Sequence, residues 1–198
     1  MWLDFFDGSA PAIIARQFML ERITTVRPQT FWKTVVDDRV DFLDRLIALL
    51  TDHAVRYCVV GGQAVNAYAE PLVSLDLDVA IAVDQLAQVE TLLGQAFIVE
   101  RFPHSLNVSS PGSGLRVQIQ TDPQYAAFVD RATVREVLGL RLPVACLEDV
   151  LQGKLWAVTD TTRRPSKRQK DLADIARLLE SDPTLRERVP PEVRARLV

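Results

Sequence analysis

Cysteine is scarce in this chain. Cys58 and Cys146 are the two in 198 residues, each inside an apolar stretch and without CxxC spacing. That usage argues against a disulfide scaffold and for reduced, buried thiols in a cytoplasmic protein. The two histidines, His53 and His104, stand at no metal-ligand spacing. No apolar run approaches the roughly 20 residues that a membrane span needs. The opening MWLDFFDGSA lacks a basic segment leading into an apolar one, so a protein neither inserted nor secreted is expected. An excess of positive charge is also missing: the net charge is -3 and the pI about 5.4. Global attraction to nucleic acid is thereby excluded, and any such contact needs a local basic patch. Internal repeats and low-complexity segments are absent too.

What is present is 48% hydrophobic and 25% charged residues, ample for the core of one compact domain or a domain with a small appendage. Three regions are expected. Residues 1–36 form a poorly defined extension, with a helix over 12–23 and a loop around Pro28. Residues 37–146 form a core, and 147–198 a helical portion packed on it. From Asp37, the residues Leu43, Leu46, Ile47, Leu50 and Ala54 recur at helical spacing. Trp2, Trp32 and Trp156 read as packing or interface residues.

The informative stretch is Val55–Ala82, VRYCVVGGQAVNAYAEPLVSLDLDVAIA. A short strand over 57–60 meets Gly61-Gly62, a helix is expected over 63–69, Pro71 ends the segment, and a second strand covers 75–83. Side chains alternate along a strand, so Asp76 and Asp78 share one face about 7 Å apart at their Cα atoms. Such a pair can hold a hard cation. Beyond it, Asp84 is placed to cap a helix over 85–95. Strands follow over 97–101, 105–109 and 115–120, the last two joined as a hairpin by the turn Pro111-Gly112-Ser113-Gly114. A strand over 140–145 leads into a helix from Leu147 to about Val158. The pattern is an α+β, mixed-sheet plan.

Two charged residues in the last third are oddly placed. Lys154 falls inside the apolar arc of Val150, Leu151, Leu155 and Val158, where it is either a snorkelling lysine or one aimed at a site. Asp171 lies in the arc of Leu172, Ile175, Leu178 and Leu179, and either interacts with the helix dipole or holds a cationic partner. Between them Arg163, Arg164, Lys167, Arg168 and Lys170 form an acid-free run, which reads as a solvated helix start or as a phosphate or RNA contact. Ser166-x-x-Gln169 has capping-box spacing for a helix reaching Glu180.

GGQA after a strand, S-x-D-x-D on the next, then LEDVLQGKLWAV and KDLADIARLL together resemble the nucleotidyltransferase superfamily, and within it the AbiEii-type, toxin-related branch. The resemblance spans roughly residues 39–180. It implies a small mixed sheet flanked by helices with a helical C-terminal portion, and magnesium-dependent transfer of a nucleoside monophosphate from an NTP to a hydroxyl of an RNA, a protein or a small molecule. An antitoxin partner is implied as well. Asp76 and Asp78 would hold Mg2+. Gly61, Gly62, Gln63 and Ser74 would meet the nucleotide, and Lys154 would balance phosphate charge with Asp171 holding it in place. The chain departs from the family pattern at Leu72, where an arginine is usual, at Ser74, where threonine is usual, and at Gln118 within Arg116-Val117-Gln118-Ile119-Gln120, where a third aspartate is usual. A neutral amide is a poor magnesium ligand. Two readings follow: an active nucleotidyltransferase, or a degenerate member that binds a nucleotide, an RNA or a partner without chemistry.

Overall fold

The computed structural model describes residues 37–197, so the expectations for 1–36, including Trp2 and Trp32, lie outside the described residues. Helix α1 (Asp37–Asp52) buries Phe42, Leu43, Leu46 and Leu50, as its periodicity requires. Ala54 does not join that stripe. It is exposed and left-handed (φ 51°), because Val55 N–H donates to Leu50 O and Ala54 N–H to Thr51 O, a Schellman ending with alanine where glycine is usual.

Seven strands form one mixed sheet: β1 (Tyr57–Val60), β2 (Asp76–Ile81), β3 (Ile98–Phe102), β4 (Ser105–Ser109), β5 (Arg116–Gln120), β6 (Thr133–Val137) and β7 (Leu140–Val144). Their order is β3-β4-β5-β2-β1-β7-β6. β2 runs parallel to β5 and β1 parallel to β7, while the other neighbours are antiparallel. The helices are α2 (Gly61–Asn66), α3 (Leu86–Ala96), α4 (Ala126–Asp130), α5 (Leu147–Thr159), α6 (Pro165–Ser181) and α7 (Pro191–Arg194). The α+β, mixed-sheet plan is borne out. One core runs through the sheet and its helices, with Val59, Leu77, Val117, Ile119, Leu93, Leu151 and Ile175 all fully buried. Among the described residues no helix is long and apolar enough to cross a membrane.

Two local expectations are corrected. Asp84 caps nothing: it lies in a single 3-10 turn, Val83–Gln85, and its carboxylate accepts two hydrogen bonds from Arg56 at 2.8 and 3.0 Å. Gln85 ties the same turn to the end of α1, accepting from Arg56 N–H and donating to Ala54 O, so α3 begins only at Leu86. The Ser166-x-x-Gln169 box is unused, because Pro165 takes the first helical position of α6 and Ser166 is already inside the helix. Helix α4 is not among the expected elements, nor is strand β6. It is an edge strand whose first four residues are exposed, so it shows no inward alternation, and its hairpin to β7 turns through Leu138 and Gly139, both at positive φ.

Candidate active site

Strand β2 presents Asp76 and Asp78 on one face at half-buried positions, with Leu77 and Val79 buried behind them. The alternation argument therefore holds in three dimensions. Val60, the last residue of β1, pairs with Asp78, which brings the following Gly61 against that carboxylate. Gly61 is itself the first residue of α2 rather than part of a preceding turn, and it adopts φ +66°. A Cβ built on it would stand 2.1 Å from Asp78 Oδ2 and 2.8 Å from Asp78 Cγ. No other residue type fits there. At Gly62 a Cβ would instead lie 3.8 Å from Lys170 Nζ and 4.0 Å from Ser74 Oγ, so the ammonium of α6 reaches across the glycine pair.

The loop carrying Ser74 is held from below. Gln63, 3% exposed, donates from Nε2 to Ser74 O at 3.1 Å and accepts from Asn66 Nδ2 at 3.2 Å. Asn66 in turn donates to Leu72 O and accepts from Leu72 N–H. The phosphate contact expected of Gln63 is thus not available: its amide is spent pinning the loop, and it does not line the cleft. Ser74 does line the cleft, its hydroxyl 3.4 Å from the backbone of Asp76.

Helices α5 and α6 build the facing wall. Lys154 lies on the cleft wall, 7% exposed, with Nζ 3.1 Å from Asp171 Oδ1 and 2.6 Å from Asp174 Oδ2. Two buried carboxylates share its charge, so Lys154 first of all joins the two helices. Asp171 also accepts from Arg163 Nε at 2.6 Å, and Asp174 from Arg177 at 2.8 Å. Asp171 thus has the cationic partner its inward placement calls for. Asp174 follows Asp171 by three positions on the same helical face, a spacing that marks it as a second inward carboxylate. Of the basic run, Arg163, Arg164, Lys167 and Lys170 line the cleft and Arg168 does not. Arg164, Lys167 and Lys170 have no ion pair among the described residues, which leaves three cations for a ligand.

On the other side of β2, the parallel register pairs Asp78 with Gln118 and Asp76 with Arg116. Gln118 therefore stands beside Asp78 as a neutral amide. Arg116 Nε lies 3.1 Å from Asp76 Oδ1. Tyr125 and Phe128 close the floor. Tyr125 packs edge-on against Phe128 and Trp156, and Trp156 stacks on Phe128 at 5.5 Å, so Trp156 is a packing residue as expected. Asp149 reaches the cleft too, but both its oxygens accept from Arg131, at 2.6 and 3.0 Å.

The cleft so formed has a volume of about 510 Å³. Burial pushes the Asp78 carboxyl above the ordinary carboxylate range; Lys154 draws it back, Asp76 adds to the rise, and Lys170 and Arg163 oppose it. An ionised Asp78 thus gains from a further cation beside it. Burial, with Asp78 and Asp122 nearby, pushes the Tyr125 hydroxyl up to about 12, so it remains a hydrogen-bond donor at neutral pH. Among the described residues no three His, Cys, Asp or Glu side chains form a metal cage. Two carboxylates alone suit Mg2+, which keeps waters and takes its remaining ligands from substrate phosphates. The donor set fits a magnesium ion that arrives with a nucleotide.

This architecture is similar to two solved structures of the antibiotic-resistance factor ANT(2'')-Ia. The crystal structure in complex with adenylyl-2''-tobramycin shares 12% identity over 81% of this chain and 99% of that one, with a TM-score of 0.56. The solution structure shares 11% over 76% and 92%, with a TM-score of 0.51. The fold is nucleotidyltransferase-like. At these identities the likeness is one of fold, and chemistry has to be argued from the site. No family model matches the sequence and no curated protein matches it.

Proposed function

We propose that this protein transfers a nucleoside monophosphate from an NTP to an acceptor hydroxyl, with Mg2+ held by Asp76 and Asp78. The observation that carries this reading is the opposition of two charge sets across one cleft: the carboxylate pair of β2, and Arg164, Lys167 and Lys170 at the start of α6, which have no ion pair among the described residues. A triphosphate lying along Gly61 and Gly62 meets Gly62 without a side chain and with the Lys170 ammonium beside it, while Asp78 fills the side-chain space of Gly61. Mg2+, when bound, neutralises phosphate charge and polarises the phosphorus under attack. The chain's own residues orient. Asp78 is fixed by its contact with Gly61, Ser74 sits beside Asp76, Arg163 is steered by buried Asp171, and Tyr125 offers a donor to the ligand.

Transfer of label from an α-labelled NTP in the presence of Mg2+ tests the reading. Asp76→Ala removes half of the metal support and is expected to lower the rate by at least ~10². Undiminished transfer by that variant removes the proposed role of Asp76.

A second reading is favoured by one observation: Gln118, in register with Asp78, supplies no charge where a third carboxylate would sit. On that reading the cleft binds a nucleotide without turning it over. Calorimetry showing NTP binding with no turnover supports it, and appearance of turnover in Gln118→Asp identifies the missing carboxylate as the defect. No gain in that variant rejects this explanation. The motifs GGQA, S-x-D-x-D and KDLADIARLL support membership of the AbiEii-type branch, and with it an antitoxin partner; the two free thiols fit a cytoplasmic setting.

A further inference from the structure

The triphosphate side of the cleft is the β1, α2 and α6 side, where Gly62 and Lys170 meet. In-line displacement at phosphorus requires the attacking oxygen to enter opposite the leaving pyrophosphate. The acceptor therefore approaches over β5, on the far side of β2. Strand register states what it meets. One rung runs Asp78, Gln118, Asn107, Glu100 across β2, β5, β4 and β3, and the next runs Ala80, Gln120, Ser105, Phe102. At about 4.8 Å per strand, Gln118, Asn107 and Glu100 stand roughly 5, 10 and 14 Å from Asp78 at their Cα atoms.

Gln118 and Gln120 line the cleft, and Asn107 continues their row. All three are half-buried, and none of their side-chain amides has a hydrogen-bond partner among the described residues. Elsewhere in this site amides are used: Gln63 and Asn66 are both bonded. Among the described residues no atom of these three amides is both buried and unpartnered, so solvent reaches them and a ligand can too. Each offers two donors and a carbonyl acceptor. Between Asp78 and Glu100 the rung carries no charge, and the nearby Arg116 is spent on Asp76. Phe102, 46% exposed, ends the second rung and lines a separate cavity with Leu86, Glu90 and Leu106.

Given transfer as proposed above, we infer that this amide platform is the acceptor site and that the acceptor is an uncharged polyhydroxylated compound of the sugar class. Neighbouring hydroxyls, each donor and acceptor at once, match paired amides. A polycation finds no row of carboxylates here, and a polyanion no row of cations.

The test follows the side-chain amide resonances of Gln118, Gln120 and Asn107 by NMR, with Mg2+ and a non-hydrolysable NTP analogue bound. Methyl glucoside, maltose and trehalose are titrated, alongside tobramycin as polycation and an oligoribonucleotide as polyanion. Shifts of these amides by a neutral sugar are expected, and Asn107→Ala is expected to weaken that sugar about 3- to 10-fold while the analogue binds as before. Shifts caused solely by tobramycin or the oligoribonucleotide, or none from any sugar while the analogue is bound, overturn the assignment and leave nucleotide binding intact. Failure of the analogue itself to bind overturns the transfer reading, and the acceptor assignment with it.

Discussion

Replacing Gly61 by alanine is expected to lower nucleotide transfer by at least ~10² and to cost about 2–3 kcal/mol of stability. Two separate penalties produce this. The left-handed backbone at φ +66° costs a residue with a Cβ about 1–2 kcal/mol. The methyl group would in addition lie 2.1 Å from Asp78 Oδ2 and 2.9 Å from Asp78 Cβ. The second of these atoms is close to the β2 backbone, so rotating the carboxylate away does not relieve the contact, and the strand or α2 has to move. A displacement of about 1 Å at a reacting centre is worth about 10² in rate. Gly62→Ala is the control. Its Cβ meets only ordinary contacts at 3.8 and 4.0 Å and its φ is not left-handed, so its stability is expected to stay near that of the parent. Denaturant unfolding and labelled transfer on both variants check the pair. Wild-type transfer by Gly61→Ala shows that Asp78 is not held by that contact.

Lys154→Met is expected to lower stability by about 3 kcal/mol, roughly 6–12 °C in Tm for a chain of this size. Lys154 is the shared cation of Asp171 and Asp174, which are 1% and 2% exposed. Removing it leaves two buried carboxylates with Arg163 and Arg177 as their remaining partners. Methionine keeps the packing volume, so the loss reports charge and not a cavity. Because the pair is buried, the effect is expected to persist at high salt, where an exposed pair would be screened. Lys154→Met/Asp171→Asn, which removes one of the stranded charges, is expected to recover part of the loss. A Tm within 2 °C of the parent for the single variant would refute the account. The same substitution separates two roles for Lys154, since a lysine that only joined α5 to α6 would leave NTP affinity in the folded variant unchanged.

How much of this could be read from the chain itself follows from the range of each interaction. The α+β plan and most strands were legible because inward alternation repeats within five or six residues, and β6 was not, because an exposed edge strand has no buried face to announce it. The cation at Asp171 was anticipated from one misplaced carboxylate on an apolar arc. Its second partner, Arg163, and the reach of Lys170 over Gly62 were not, since each depends on where α6 sits relative to α2 and β2. Gln63 shows the converse. Its position after the glycine pair suggested a phosphate ligand, yet burial turns its amide toward Ser74 O, a bond across 11 residues that local pattern does not encode.

Local pattern suffices to place Asp76 and Asp78 on one face, a short helix at the glycine pair, and a basic run at the start of α6, because periodicity and backbone freedom act between near neighbours. Only the packed molecule shows that the missing side chain of Gly61 makes room for Asp78, that Gln118 stands in register beside it, and that three cations without an ion pair among the described residues face the carboxylates. Those relations arise from strand order and from the packing of segments distant in the chain, and both are set by burial of the whole core.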